Sequence, residues 1–370
     1  MQPDPNARGR VLAAIDHRQP EIVPLSLMGF DPLEPWLERF GASDGFDLRT
    51  RLGLDTQFAR AVYVGVNAPR GLDIWGRNAQ VYGATGGGYS SVRDEYPLAQ
   101  VDSVAELDRF PWPDAGDFDC QAAADLLATV SPGTARVVRL TYSIARPGER
   151  GMDAARRTFA GLPLLDTLFD LLGMEETLVR LHTQPVFIEA VIDRLGTFLL
   201  DLEERLLRAT QDQADIFHFE DDFAAQRGML ISPEHWRRFL KPTYERIYAL
   251  ASSHGLKVEI HACGTFRPVI RDMIDMGMEI WEPVQAHLEG NDPTALKREF
   301  GRDLTFSGGI STQGVLPSGS PDEVRAAVRD AIRVFGHGGG YICGPDHTVL
   351  ADVPQDNVIA LLEAAREFRF

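Results

Sequence analysis

Cysteine is scarce in this chain, with three residues, Cys120, Cys263 and Cys343, among 370. So few cysteines exclude a disulfide framework and favour a reducing, cytoplasmic location. No uninterrupted apolar run approaches 18 residues, and the first residues lack a basic segment followed by an apolar one. We therefore expect neither a transmembrane helix nor a signal peptide, and no membrane partner. Any cysteine with a functional role is expected to act as a thiolate.

Positive charge is also in short supply. Lys and Arg number 37 against 54 Asp and Glu, which gives a net charge of −17. Because nucleic-acid binding depends on clustered Lys and Arg, this balance argues against a nucleic-acid partner. A Gly-x-Gly-x-x-Gly motif after a strand is missing too, which disfavours a dinucleotide-binding, doubly wound sheet.

What the sequence does contain is a regular alternation of strand and helix patterns, clearest after residue 210. This alternation predicts an α/β fold with a parallel sheet and covering helices. The length suits one (β/α)8 barrel, residues 1–370, with extra N-terminal segments; an open sheet is the competitor. The irregular range 33–115 is predicted to be an insertion or lid within it. Predicted strands lie at 22–27, 136–141, 216–219, 257–263, 278–281, 304–307 and 341–343, and predicted helices at 7–17, 118–129, 163–172, 174–181, 184–210, from 232, 266–276, 294–300, 321–335 and 355–368.

Unusual chemistry follows three of the predicted strands. One strand ends in His261 and Cys263, which project to the same side because strand side chains alternate with period 2. The same alternation turns Lys257 and Glu259 inward, which requires that they pair low in the barrel or that the strand carries a bulge. Cys343 ends the last strand, and residues 220–222 end an earlier one. In a barrel such strand ends meet at the active-site face.

Imidazole and thiolate together favour zinc, so His261, Cys263 and Cys343 are predicted ligands. The three carboxylates at 220–222 offer a further ligand, assigned to Asp221, and acid–base groups, assigned to Asp222 and Glu220. A solvated acidic loop, or hydrogen bonding to His261, is the alternative use of these carboxylates.

Other polar residues on the predicted mouth loops are substrate-pocket candidates. For two of them, His347 and Asp346, substrate contact or a structural role in the loop is favoured over metal ligation. The substrate-binding candidates are His347, Asp346, Tyr142, Gln226 and His287.

With these residues in place, the chain resembles the uroporphyrinogen decarboxylase-like superfamily. The resemblance covers nearly the whole chain, is strongest after residue 210 and implies a (β/α)8 barrel. The matching segments are 10–20, Asp221–Asp222 with 231–234, 261–264, 306–310, 338–342 and 352–358.

Two activities within that superfamily compete. True uroporphyrinogen decarboxylases carry an arginine-rich segment after the first strand to bind the carboxylates of their substrate, whereas residues 25–32 here contain no arginine. The chain is more similar to the zinc-dependent, corrinoid-linked branch, such as methylcobamide:coenzyme M methyltransferase. There His-x-Cys and a distant cysteine bind zinc, matching His261, Cys263 and Cys343.

The resemblance implies a zinc-dependent methyltransferase that moves a methyl group between a small methylated substrate, or a thiol or folate-type acceptor, and a corrinoid (cobalamin) carried by a partner protein. Two alternatives stay open. One is a decarboxylase or lyase of a small carboxylic acid that uses Asp221 or Asp222 as acid or base. The other is a catalytically silent binding protein of the same fold.

Overall fold

The computed structural model of the protein describes residues 4–70, 72–76, 96–144 and 159–370. Helices in these ranges begin with recognisable signals, as in the helix Pro321–Phe335, where Ser320 and Glu323 form a capping box and Pro321 takes the first helical position. The α-helices are α1 (Ala7–Ile15), α2 (Glu34–Phe40), α3 (Gly45–Arg51), α4 (Val104–Leu107), α5 (Gln121–Ala128), α6 (Leu165–Leu172), α7 (Met174–Thr183), α8 (Pro185–Thr210), α9 (Pro233–His235), α10 (Lys241–Ser253), α11 (Arg267–Met276), α12 (Pro293–Phe300), α13 (Val315–Ser318), α14 (Pro321–Phe335) and α15 (Gln355–Glu367), with a π-helical turn at Trp236–Leu240.

A nine-stranded, mostly parallel sheet forms the centre of the molecule. The strands of the described residues are β1 (Phe30–Asp31), β2 (Thr56–Tyr63), β3 (Phe118–Asp119), β4 (Ala135–Ile144), β5 (Phe159–Gly161), β6 (Ile216–Glu220), β7 (Ala224–Ala225), β8 (Gly228–Met229), β9 (Lys257–His261), β10 (Ile280–Val284), β11 (Thr305–Ile310), β12 (Tyr341–Pro345) and β13 (Val349–Leu350). The central sheet has the order β12, β11, β10, β9, β6, β4, β2 and β3, and β5 pairs with β4; all are parallel neighbours except β3 and β5. This is the α/β arrangement that the sequence pattern predicts.

The segment around Leu25 lies between β12 and the start of β2. Leu25 forms an isolated parallel bridge with Cys343, and its carbonyl oxygen accepts a 2.9 Å hydrogen bond from the Asp55 N–H. The predicted strand 22–27 is thus present as a bridge only. Pro24, which has no N–H, cannot donate to a longer ladder.

The two faces of the sheet pack differently. On one face a small apolar cluster joins Val11 and Ile15 of α1 to side chains near the amino-terminal ends of the strands, including Phe58, Ile216 and Ile342. On the other face a much larger apolar core fills the space under the helices. Helix α1 therefore closes the amino-terminal end of the strands, and the polar chemistry lies at their carboxyl ends.

Part of the predicted insertion 33–115 belongs to the sheet. Strand β2 lies inside that range and is buried along its whole length. Its polar residues Gln57 and Arg60 are buried as well, which breaks the apolar pattern that marks a central strand. Residues 77–95, in the same range, lie outside the described residues. Within the described ranges, no helix combines the length and apolar character needed to span a membrane.

Candidate metal centre

Three side chains meet at the carboxyl ends of β9 and β12. His261, Cys263 and His347 each place one ligand atom so that these atoms lie within 4.8 Å of one another. The Cys263 Sγ is 3.6 Å from the His261 Nε2, and the two imidazole rings have centroids 6.1 Å apart. We call these three residues the triad.

The local structure of β9 explains two members of the triad. His261 is the last residue of the strand, and the Ala262 N–H still donates to the Glu282 carbonyl of β10, so the chain stays extended up to Cys263. Alternation then sends His261 and Cys263 to one side, as the sequence predicts.

His261 is held in orientation by the neighbouring strand. Glu282 of β10 is the register partner of His261, and its Oε2 lies 2.8 Å from the His261 Nδ1. That bond occupies Nδ1 and leaves Nε2 facing Cys263. Burial alone would lower the pKa of His261, but the Glu282 carboxylate raises it well above the usual value. Likewise burial would raise the pKa of Glu282, whereas His261 lowers it to about 2.

The other two ligand groups show the effect of burial directly. Burial, reinforced by Asp222, raises the pKa of the Cys263 thiol to about 12. Burial lowers the pKa of His347 to about 4, so this imidazole is neutral at neutral pH. A cation at the triad would favour the thiolate form of Cys263.

Among the three carboxylates of 220–222, Asp222 is the one beside the triad. Its Oδ1 accepts a 2.8 Å hydrogen bond from the Cys263 N–H and lies 3.9 Å from the His261 Nε2. Glu220 is the register partner of His261, and its Oε2 lies 3.8 Å from the His218 Nε2.

Asp221, predicted as a metal ligand, points to the helix layer. Its oxygens accept hydrogen bonds of 3.1 and 2.9 Å from the Leu165 N–H at the start of α6, and a bond from the Tyr244 hydroxyl of α10. Burial raises the pKa of Asp221 to about 7. The structure does not bring Asp221 to the triad, because neighbouring residues of a strand face opposite sides.

Cys343, the other predicted ligand, also faces the helices. It shares the strand side of Tyr341, whose ring stacks on Phe335 of α14 at a centroid distance of 5.3 Å, while Ile342 belongs to the cluster on the opposite face. Cys343 is fully buried in the larger core, and burial raises its pKa to about 12. The structure places His347, four residues further on, at the triad in its stead.

Two more predicted residues, Asp346 and His287, pair with each other. Asp346, directly before His347, is fully buried and accepts a 2.8 Å hydrogen bond at Oδ2 from the His287 Nδ1.

The remaining two substrate-binding candidates, Gln226 and Tyr142, lie elsewhere. Gln226 donates to Gln313 at the surface, and Tyr142 is buried edge-on against Tyr63 and Phe118.

A buried polar layer below the triad was not assigned a function by sequence reasoning. Arg60, Arg139, His218 and Glu259 are successive register partners across β2, β4, β6 and β9. The His218 Nδ1 lies 2.8 Å from the Glu259 Oε1. The sequence did contain one sign of this layer: the alternation of side chains along the strand turns Glu259 inward together with His261. Lys257, of the same parity, pairs with Glu279 and Asp16 at the start of β9.

The donor set of the triad fits zinc. Two imidazoles and one thiolate are the borderline ligands that zinc prefers, and three protein ligands are typical of catalytic sites. Glu282 supplies the carboxylate partner that ligand histidines usually have.

Comparisons with known proteins bear on the part of the chain that carries this site. A family model described as uroporphyrinogen decarboxylase (URO-D) matches residues 164–368, a range that includes the whole triad. Two curated relatives, both described as uroporphyrinogen decarboxylase and from two strains of Thermus thermophilus, are 25% identical over 214 residues. That alignment covers 56% of this chain and 58% of each relative, less than two thirds of their length.

Among solved structures, a methyltransferase from Methanosarcina mazei is similar over 98% of this chain and 99% of its own, with a TM-score of 0.65 and 20% identity. At that identity the likeness shows the fold alone.

Proposed function

The chain belongs to the uroporphyrinogen decarboxylase (URO-D) family, and within that family we propose that it is a zinc-dependent methyltransferase. In this proposal the enzyme moves a methyl group between a small methylated substrate, or a thiol or folate-type acceptor, and a methyl carrier. The triad of His261, Cys263 and His347 would hold the metal. The methyltransferase assignment draws on the similar fold of the Methanosarcina mazei protein.

The observation that carries the proposal is the convergence of the three ligand atoms within 4.8 Å. Three protein ligands leave a fourth position for a substrate atom. When bound there, zinc lowers the pKa of a thiol or polarises the heteroatom of a methyl donor.

The chain's own residues have definable tasks in this proposal. Glu282 fixes the ring of His261 through Nδ1, so that Nε2 faces the metal position. Asp222, hydrogen-bonded to the Cys263 N–H, keeps a carboxylate beside that position. Glu220, the register partner of His261, remains a predicted acid–base group.

We further propose that the sheet closes into a (β/α)8 barrel formed by one domain of residues 1–370. Support comes from the segment around Leu25, which is hydrogen-bonded both to β12 and to the start of β2. The methyl carrier that we propose is a corrinoid held by a separate protein, and this part rests on the sequence resemblance.

Metal analysis of the protein purified without added metal tests the proposal. We expect about one zinc per chain in the wild type, since a triad of this kind binds one ion. Cys263→Ser and His347→Gln should lose most of it. Cys343→Ser is the matched control, because its thiol is buried on the other face, and it should keep the metal. Zinc that persists in Cys263→Ser, or a wild type without metal, would contradict the proposal.

The alternative is a decarboxylase of a small carboxylic acid, favoured by the description of both Thermus thermophilus relatives. Turnover of such an acid by zinc-free protein would support this alternative, since the triad would then have no part in the reaction.

A further inference from the structure

We infer that His287 is the proton acceptor for a substrate thiol that binds at the triad, and that Asp346 is its positioning residue. The inference rests on the proposed function and adds a proton-transfer group to it. No residue of the triad supplies this group, because all three side chains are used as ligands.

Asp346 is built to hold an imidazole in place. It is fully buried, and its Oδ1 accepts hydrogen bonds of 2.8 Å from both the N–H and the hydroxyl of Thr312. Its Oδ2 accepts the 2.8 Å hydrogen bond from the His287 Nδ1. A carboxylate with both oxygens engaged fixes the ring orientation and leaves the proton on Nδ1.

The other ring nitrogen of His287, Nε2, is the one that can accept a proton. His287 keeps 28% of its side chain exposed. Among the described residues none forms a hydrogen bond with its Nε2, whereas Nδ1 faces Asp346 and, at 3.2 Å, the Ser311 Oγ. With the proton on Nδ1, Nε2 carries a lone pair that no described residue engages, as a general base requires.

The loop that carries His287 is attached next to two of the ligands. Gln285 accepts a 2.7 Å hydrogen bond from the N–H of Gly264, the residue after Cys263, and Asn291 donates a 3.0 Å bond to the Gly264 carbonyl. On the other side, Asp346 immediately precedes His347. These attachments tie the His287 loop to the residue that follows Cys263 and His287 itself to the residue that precedes His347.

The step itself is a simple proton transfer. The S–H bond of the thiol breaks, the electron pair stays on sulfur, which binds the metal, and the proton forms an N–H bond at the His287 Nε2. The thiolate is then ready to accept a methyl group, and the protonated imidazole is stabilised by the negative charge of Asp346.

The competing explanation is that His287 only fastens its loop to Asp346. His287→Asn separates the two roles, since the Asn amide can still donate to Asp346 but has no basic nitrogen. His287→Gln is a second variant in case the first does not fold. His254→Asn, at a surface histidine 3.5 Å from Glu204, is the matched control.

The experiment is calorimetric titration of the zinc-loaded protein with 2-mercaptoethanol in buffers of different ionisation enthalpy, which gives the protons released per thiol bound. His287→Asn and His287→Gln should release more protons than the wild type, by up to about one per thiol, because the wild type retains the thiol proton. His254→Asn should match the wild type.

Equal proton release from the wild type and both His287 variants, with the thiol bound in each, would overturn the inference and leave the proposed function standing. A zinc-loaded wild type that binds no thiol would instead contradict thiol activation at the triad, and the inference would fall with it.

Discussion

Cys343 and His347 are four residues apart, yet they face different parts of the molecule. Cys343 is fixed by strand alternation on the side of Tyr341, which packs on the helices. His347 follows the end of β12, where the backbone is free of that alternation and turns its ring toward His261. Residue type and strand ends were enough to single out His261 and Cys263 from the sequence. The third member of the triad, His347, depends on a loop path that no periodicity describes.

At the same scale, the Glu282–His261 pair gives a direct prediction. Glu282→Gln should weaken zinc binding by about 10–100-fold, because the ligand histidine loses the carboxylate that sets its orientation and basicity. Competition with a fluorescent zinc chelator measures the change. Glu259→Gln removes a similar buried carboxylate that pairs with His218, and its zinc affinity should stay close to that of the wild type. Equal losses in both variants would contradict the role of Glu282.

At the scale of elements, the two aspartates that directly follow β6 have different roles, one structural and one at the triad. Asp222 contacts the Cys263 backbone, whereas Asp221 accepts the Leu165 N–H at the start of α6 and the Tyr244 hydroxyl of α10. The sequence places three carboxylates together, but it does not reveal which of them has a helix start behind it.

These different contacts predict that alanine substitution of Asp221 affects stability, whereas alanine substitution of Asp222 affects zinc binding. Asp221→Ala should lower the free energy of unfolding by about 2–3 kcal/mol, because a helix start and a buried hydroxyl lose their acceptor, and it should still bind zinc. Asp222→Ala should unfold close to the wild type but bind zinc more weakly. Urea unfolding and chelator competition check both. Loss of zinc in a folded Asp221→Ala protein would contradict this assignment and would indicate that Asp221 is a zinc ligand.

Helix α8 carries a second element-scale prediction, on pH. Glu203 is fully buried, and among the described residues neither of its carboxyl oxygens has a hydrogen-bond partner. Burial raises the pKa of Glu203 well above its usual value. Its folded pKa exceeds its unfolded one, so the contribution of Glu203 to stability is complete below the unfolded pKa and is lost as the pH rises toward the folded pKa.

Glu203→Gln should therefore be more stable than the wild type at pH 8, by about 1–3 kcal/mol, and the difference should shrink toward pH 5. Urea unfolding at several pH values measures it. Glu204→Gln, at the neighbouring half-buried carboxylate, should show little change of this kind between pH 5 and pH 8. A difference between Glu203→Gln and the wild type that grows as the pH falls would contradict this reading.

For the whole molecule, regular alternation of strands and helices made the second half predictable, from β6 to α15. Strand β2 was not predictable, because Gln57 and Arg60 lie inside the fold and interrupt the apolar run that indicates a buried strand. Such polar interior residues are stabilised by contacts across the sheet. The Arg139 guanidinium, for example, lies 3.7 Å over the Phe58 ring, a contact that links two strands distant in sequence.

The most direct test of the central claim is X-ray absorption at the zinc edge of the metal-loaded protein. The triad predicts one sulfur neighbour at about 2.3 Å and two imidazole nitrogens at about 2.0–2.1 Å, with the remaining position taken by oxygen or nitrogen. Addition of 2-mercaptoethanol should raise the sulfur count to two. Two sulfur neighbours before any thiol is added would indicate that Cys343 also binds zinc. The absence of any sulfur neighbour would show that Cys263 does not bind it. Either result would contradict the triad as the zinc site.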